Sequence, residues 1–277
     1  MNDFNQNKDM MLGYTVNEKY PNIYCFSTTR HGGVSQGNYA SMNCTQYTGD
    51  NIRHIQQNQE LLRSRLPQGV QELIIPFQTH STNVLPIDKN FLRLTPEERT
   101  EKLQQTDALI TDEPGVCICI STADCIPLLL YDTKQQVTAA IHAGWKGTAA
   151  KIVTKTIGEM TKQYGTCAAD IVACVGPGIS VDAYEVGNEV ITFFEKAGLD
   201  PAQIAVWHRQ KKKYHLNLPL ANKIQLQDAG VLADNIYDCG ICTYQHCEDF
   251  FSARRLGIHS GRILSGIIIQ KKGTNHV

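Results

Sequence analysis

Long apolar runs are missing from this chain of 277 residues. None approaches the ~20 residues that a membrane span needs. An excess of one charge is missing too: 26 Lys and Arg stand against 27 Asp and Glu. That balance gives no long-range pull toward nucleic acid or an anionic bilayer, so neither is expected as a partner. The opening residues, MNDFNQNKDMMLGYTV, lack the basic and apolar regions of an export signal, and a cytoplasmic protein is the expectation. No repeat, linker or low-complexity block interrupts the chain. One domain is expected over residues 11–277, behind a polar, flexible stretch at 1–10. A chain of this length can bury most of its apolar surface without staples.

What is present in quantity is cysteine, ten in all. Without an export signal these are read as reduced thiols rather than bridges. Cys117, Cys119, Cys167 and Cys174 sit among apolar neighbours and read as small core residues. Cys125 stands apart. In ISTADCIPLLLYD (120–132) it follows an acid, Asp124, and precedes a strongly apolar run.

Strand and helix patterns are both plentiful but do not alternate as regular βαβ units. The fold class expected is therefore α/β (mixed α+β), a single domain of layered mixed sheets flanked by helices. NIYCFSTTRHGGVSQG reads as a strand entering a Gly-rich turn. In GDNIRHIQQNQELLRSRL, Asp50 is the expected N-cap, with Ile52, Ile55, Leu62 and Leu66 on one face. ELIIPFQTH reads as a strand ending near His80. TPEERTEKL carries Thr95 as N-cap and Pro96 at the first helical position. DAYEVGNEVITFFEKAG reads as a helix with Asp182 and Glu185 as a capping box. IAVWHRQKKKYHLNL reads as a hairpin whose basic tip is a solvated turn.

In AAIHAGWKGTAA, His142 ends a strand and the loop Gly144–Gly147 opens a helix, with Lys146 adding charge. Such loops expose free N–H groups that favour anions. A structural His beside a tight turn is the bland reading of the same residues. Cys125 and His142 lie 17 residues apart on consecutive strand segments. Adjacent strands run ~5 Å apart, so the two side chains can meet at one rim. Two readings stay open. His142 activates Cys125 as a nucleophile, or both bind a metal with a third donor, for which His80 is the best candidate. His and Cys donors suit Zn²⁺, with copper as the alternative. CGICTYQHCEDFF offers Cys239, Cys242, His246 and Cys247 at short spacing, but no second pair stands at a distance, and a fortuitous group of thiols is the expectation.

TTRHGGVSQGNYASMN, QTHS, TDALITDEPG, STADCIPLLLYD, AAIHAGWKGTAA, VGPGISVDAYEVG and CTYQHCEDFFSARR…GR occur in an order that resembles the YfiH-like family. Members of that family carry the labels multicopper polyphenol oxidoreductase (laccase) and purine nucleoside phosphorylase. The resemblance implies a layered α/β domain and a metal, usually zinc, held at His80, Cys125 and His142. It implies small-molecule partners, a purine nucleoside and phosphate, and a monomer or small homo-oligomer. Phosphate anchors are expected among Lys146, Arg255, Arg30 and Asn43. The chain departs from the family pattern at Met42–Thr45, where Leu-Asn-Leu-Gly is usual, at Lys146, where Arg is usual, and at Ala253, where Tyr is usual. Lys keeps the charge of Arg but loses its bidentate fork.

The activity this implies is phosphorolysis of adenosine, inosine or methylthioadenosine, with adenosine deamination at the same zinc site. A cysteine hydrolase using Cys125 and His142 is the alternative, kept open by the distantly related cytotoxic-necrotizing-factor-type hydrolases and by a proposed role in correcting peptidoglycan precursors. A zinc-stabilised interaction module is the non-enzyme alternative. Polyphenol oxidation is disfavoured, because nine His in the whole chain leave little for several copper centres.

Overall fold

The runs VCICIST, IPLLLYD and VTAAIHA are apolar at almost every position because each becomes a strand covered on both faces. In the computed structural model residues 8–271 are described. Their strands, in chain order, are β1 (Met11–Gly13), β2 (Ile23–Thr28), β3 (Glu72–Ile74), β4 (Val84–Pro86), β5 (Ala108–Thr111), β6 (Val116–Thr122), β7 (Ile126–Asp132), β8 (Val137–Ala143), β9 (Ile171–Val175), β10 (Glu185–Val186), β11 (Ala205–His208), β12 (Lys213–Leu216), β13 (Ile236–Asp238) and β14 (Ile263–Ile269). They form a sheet of order β1-β2-β14-β6-β3, a sheet of order β13-β9-β7-β8-β5-β4, and a small sheet β10-β12-β11. The two larger sheets are mixed, with β3–β6, β13–β9 and β4–β5 parallel and the remaining pairs antiparallel. The architecture is the layered α/β domain expected.

Period-two alternation sorts the side chains into layers. Ile118, Ile120 and Ile267 face Leu129, Tyr131 and Ala140 in the core between the two large sheets. Leu128, Leu130 and Ile141 point the other way, onto Ile157 and Met160 of the helix Ile152–Tyr164 and Phe194 of the helix Asn188–Lys196. Phe26, Cys119 and Ile268 cover the outer face of the first sheet with Leu62 of the helix Ile52–Arg65. Each fully buried Leu or Ile contributes roughly 1.5–3 kcal/mol. These layers fix the rim on which the site stands.

Several local expectations shift. Asn51, not Asp50, caps the helix Ile52–Arg65 by accepting from the Arg53 N–H. The Asp50 carboxylate is taken by the Ser35 hydroxyl and the Asn43 amide, and Ile52 stays exposed. The box at Asp182 and Glu185 does not form. Glu185 instead pairs with His215 as part of β10, and its carboxylate meets Lys211 at 2.6 Å. The helix starts at Asn188, with Gly187 as cap. Thr95 does form the capping box, with Glu98, and Pro96 opens the helix. Of the stretch expected to be flexible, residues 1–7 lie outside the described residues, while the Asp9 and Met10 carbonyls accept from Thr29.

Candidate metal centre

Cys125 immediately precedes β7 and His142 is the penultimate residue of β8. In this antiparallel pair Pro127 lies opposite His142 and Ile126 opposite Ala143. Cys125 is therefore the diagonal neighbour of His142 on the same face, at the same rim. His80 arrives differently from the expectation. Its strand ends at Ile74, and His80 lies in the extended segment that follows. Gln78 docks that segment on β6: its side-chain carbonyl accepts from the Ser121 N–H and its amide donates to the Ser121 carbonyl, both at 2.8 Å. The Gln of QTHS thus sets the position of the His.

One buried carboxylate ties the two imidazoles together. Asp107 immediately precedes β5 and is fully buried. It accepts from the backbone N–H groups of Thr79, His80 and Ser81 and from the Ser81 hydroxyl, at 2.7–3.1 Å. It also accepts from His142 Nδ1 at 2.7 Å, which leaves Nε2 as the free donor of that ring. Burial alone would raise the Asp107 pKa, but His142, Ser81 and Thr79 bring it down to about 2. The sequence reading missed this residue. It stands within the quoted TDALITDEPG, and an acid directly before the apolar run Ala108–Ile110 was the available signal.

The turn carrying Cys125 is held in an unusual shape. Asp124 has a left-handed backbone, φ 85°, as does His80 at φ 61°. Such a conformation costs a non-glycine residue about 1 kcal/mol or more, and local bonds secure it. Asp124 accepts from the Thr243 hydroxyl and from the Arg254 N–H, both at 2.7 Å. Its carbonyl accepts from the Ile179 N–H. Gly178 packs under this turn, where a Cβ would stand 2.3 Å from Ile126 Cδ1.

As a result, His80, Cys125 and His142 bring one donor atom each to within 4.8 Å of one another. Cys125 Sγ lies 3.7 Å from His80 Nε2. His142 is buried, Cys125 half-buried and His80 exposed. Gly144 forms the cradle: a Cβ there would lie 2.6 Å from His80 Cδ2 and 3.0 Å from Cys125 Sγ. Burial opposes charge on Cys125, but the His142 imidazolium, helped by hydrogen bonds from His142 and His80, brings the thiol down to about 6. Burial likewise opposes charge on His142, yet Cys125 and Asp107 raise it to about 9. The three donors form the floor of a cavity of ≈ 660 Å³, which Tyr47, Phe77, Trp145 and Tyr184 also line.

The other expected site residues lie elsewhere. Lys146 is exposed, with its ammonium 5.7 Å from the Trp145 ring centroid, and is not in the lining. Arg30 donates to the Ala40 and Cys247 carbonyls and lies over Phe251. Arg255 lies over Tyr244 and donates to its carbonyl. Asn43 is buried, with its amide on Thr48 and Asp50. Arg254 and Arg262 line the cavity in their place. Both fall within the segment SARR…GR, where the sequence reading had singled out Arg255.

Fold and site together define a class: a mixed-sheet α/β protein with two imidazoles and a thiol converging at a sheet rim beneath an open cavity. Residues 24–270 match the family described as multi-copper polyphenol oxidoreductase laccase. The chain belongs to that family, the YfiH-like proteins. It is 51% identical over 261 residues to a purine nucleoside phosphorylase of Bacteroides thetaiotaomicron, covering 94% of this chain and 97% of the relative. It is 38% identical over 245 residues to adenosine deaminase RL5 of an unknown prokaryotic organism, covering 88% and 93%. The crystal structure of the hypothetical protein YfiH of Bacillus licheniformis superposes with a TM-score of 0.87 at 27% identity, over 98% of this chain and all of the other. Among the described residues the His80–Cys125–His142 group is the only cluster of three or more His, Cys, Asp or Glu able to share an ion. A multicopper centre would need further such clusters. No helix among the described residues is long and apolar enough to cross a membrane.

Proposed function

We propose that this chain is a purine nucleoside phosphorylase that also deaminates adenosine, with zinc held by His80, Cys125 and His142. The observation that carries the reading is the convergence of these three donors on the floor of a nucleoside-sized cavity. Relatives named purine nucleoside phosphorylase and adenosine deaminase, matched over nearly the whole chain, support it.

The donor set fits zinc. Zinc bonds of ~2.0–2.3 Å put neighbouring donors of a tetrahedron roughly 3.5 Å apart, close to the 3.7 Å between Cys125 and His80. Asp107 on His142 Nδ1 is the outer carboxylate that zinc-binding imidazoles usually carry. Copper would accept the same donors. Three protein donors leave a fourth position, and a zinc ion so held supplies Lewis-acid activation of water or of a substrate oxygen.

The chain's own residues bind and orient. Asp107 locks the His142 tautomer and pins the His80 backbone, so both rings are preorganised. Tyr47 meets Phe77 edge-to-face at 4.3 Å, and with Trp145 and Tyr184 these rings offer apolar faces for a purine. In phosphorolysis a phosphate oxygen bonds to C1′ as the C1′–N9 bond breaks. The purine leaves with the bonding pair and ends with the proton that phosphate loses. Adenosine, inosine and methylthioadenosine all present that bond.

A second reading rests on a specific observation. The Cys125 thiol is brought down to about 6 beside His142, and Asp107 orients His142, as in a cysteine hydrolase. A metal-bound thiolate is a poor nucleophile, so the two uses of Cys125 exclude each other. Incubation of metal-replete protein with adenosine, with and without phosphate, tests the main reading. Adenine and ribose 1-phosphate that form only with phosphate are expected, with inosine forming in either case. No turnover of any purine nucleoside would overturn it, and turnover that survives complete metal removal would favour the hydrolase.

A further inference from the structure

We propose that Arg254 and Arg262 form the anion subsite of the cavity and hold inorganic phosphate as co-substrate, an inference that rests on the phosphorylase reading. Both side chains line the cavity whose floor is His80, Cys125 and His142. Among the described residues neither guanidinium is paired with a carboxylate. Arg254 donates to the Glu185 carbonyl at 3.2 Å and stacks over Tyr184. Arg262 donates to the carbonyls of Ile258, Ser260 and Gly261 at 2.6–3.0 Å, and to the Ser260 hydroxyl at 3.3 Å. Those acceptors orient each fork without cancelling its charge.

The carboxylate in the lining forms no ion pair with either guanidinium. Both oxygens of Asp124 are committed, one to the Thr243 hydroxyl and the other to the Arg254 backbone N–H. Desolvation of the half-buried Arg262 guanidinium lowers its pKa below the usual value, even though Cys125 and Asp124 act in the opposite sense. A guanidinium so placed favours an anionic guest. Its planar donors match phosphate oxygens two at a time, which an ammonium does not do.

The other cations near the site, Arg30, Arg255 and Lys146, do not line the cavity. Arg30 and Arg255 hydrogen-bond to carbonyls and stack on Phe251 and Tyr244, and Lys146 projects to solvent over Trp145. The Asp124 turn ties the two halves of the site together. It presents Cys125 on one side and fixes the Arg254 backbone on the other, so the anion and the donor trio are held in one frame.

The test uses the metal-loaded full chain, with initial rates measured separately against phosphate and adenosine. In Arg254→Gln and Arg262→Gln the KM for phosphate is expected to rise roughly 10- to 100-fold, well beyond any rise in the KM for adenosine. Arg262→Lys, which keeps the charge and loses the fork, falls between. Arg262 braces its own loop, so Arg254→Gln and Arg262→Lys carry the test if Arg262→Gln fails to fold. An unchanged phosphate KM in those two folded variants overturns the proposal. Absence of phosphate-dependent turnover in the unaltered chain overturns the phosphorylase reading instead. An AMP arm separates the sources of the anion: a preference for AMP over adenosine that disappears in the Arg variants would assign the pair to a nucleotide's own phosphate, and would also overturn the proposal.

Discussion

Two groups of cysteine and histidine invite comparison. One is compact in sequence: Cys239, Cys242, His246 and Cys247 lie within nine residues. The other is scattered: His80, Cys125 and His142 come from separate segments. Only the scattered group converges. Cys239 packs against the core between the sheets. Cys242 is buried and accepts from the Ser180 N–H at 3.3 Å. His246 is exposed in the turn beyond, and Cys247 lies beside Glu248. Consecutive residues on an irregular segment point apart, whereas strands in register hold distant residues side by side. Convergence belongs to the sheet rim, and spacing along the chain is a poor guide to it.

Removing one thiol from each group gives the largest contrast. Cys125→Ala is expected to abolish stoichiometric zinc and to lower purine nucleoside turnover about 10³-fold or more. Cys242→Ala keeps the metal and loses about 1–2 kcal/mol of stability through its small cavity and the unpaired Ser180 N–H. Metal analysis by mass spectrometry and thermal melts of both variants check this. Zinc retained by Cys125→Ala, or lost from Cys242→Ala, would reverse the comparison.

Alkylation of metal-stripped protein sharpens it further. The thiolate is the reactive form. His142 and His80, against burial, hold Cys125 at about 6, while burial pushes Cys239 up to about 12. A lowered pKa puts the ionised form above the midpoint. Iodoacetamide labelling of Cys125 should therefore climb through pH 6 and level off above pH 7, while Cys239 stays protonated and slow. Peptide mapping by mass spectrometry reads both sites at once. Labelling of Cys125 that still climbs between pH 8 and 9 would break the contrast.

Next in size is Asp107→Asn. The amide keeps the volume but sets an NH₂ among four donors and gives His142 a weaker acceptor. Loss of such an outer carboxylate typically costs 10- to 100-fold in metal affinity. Chelator competition measures it, and circular dichroism shows whether the fold survives. Unchanged affinity would mean that the imidazoles hold their places without help.

How much of this was legible follows from the range over which each determinant acts. The apolar strands could be read because burial on both faces leaves few polar residues in VCICIST or VTAAIHA. Thr95 and Pro96 could be read because capping is settled within one turn. Asp50 and Asp182 misled for the converse reason: tertiary partners, Ser35 and Asn43 for one and the β10–β12 pairing for the other, override a local cap signal. The trio could be raised as a candidate because two of its members flank a hairpin of adjacent strands. Asp107 was missed because its importance lies in five hydrogen bonds to groups distant in sequence. Arg254 was passed over for Arg255 because nothing local tells neighbouring arginines apart. The Asp124 clamp on its backbone and the course of the short helix Ala253–Leu256 decide which of the two lines the cavity.

Glycine offers the finest test of the comparison, since one lies beside the scattered group and one within the compact group. Gly144 has φ −74°, which alanine adopts without strain. A methyl group there would nevertheless stand 2.6 Å from His80 Cδ2 and 3.0 Å from Cys125 Sγ. His80 is exposed, so its ring can swing aside, giving up its place in the trio rather than unfolding the chain. Gly240, inside CGIC, is the reverse case: its φ is +66°, and a Cβ would meet nothing within 4 Å. Gly144→Ala should therefore weaken zinc binding about tenfold, the lower end of what a displaced supporting group costs, with little change in melting temperature. Gly240→Ala should cost about 1 kcal/mol of stability through its left-handed backbone and leave zinc binding intact. Chelator competition and thermal denaturation on the two variants separate steric exclusion at the rim from backbone strain in the loop. Equal zinc affinity in both would show that the donors converge without the space Gly144 leaves them.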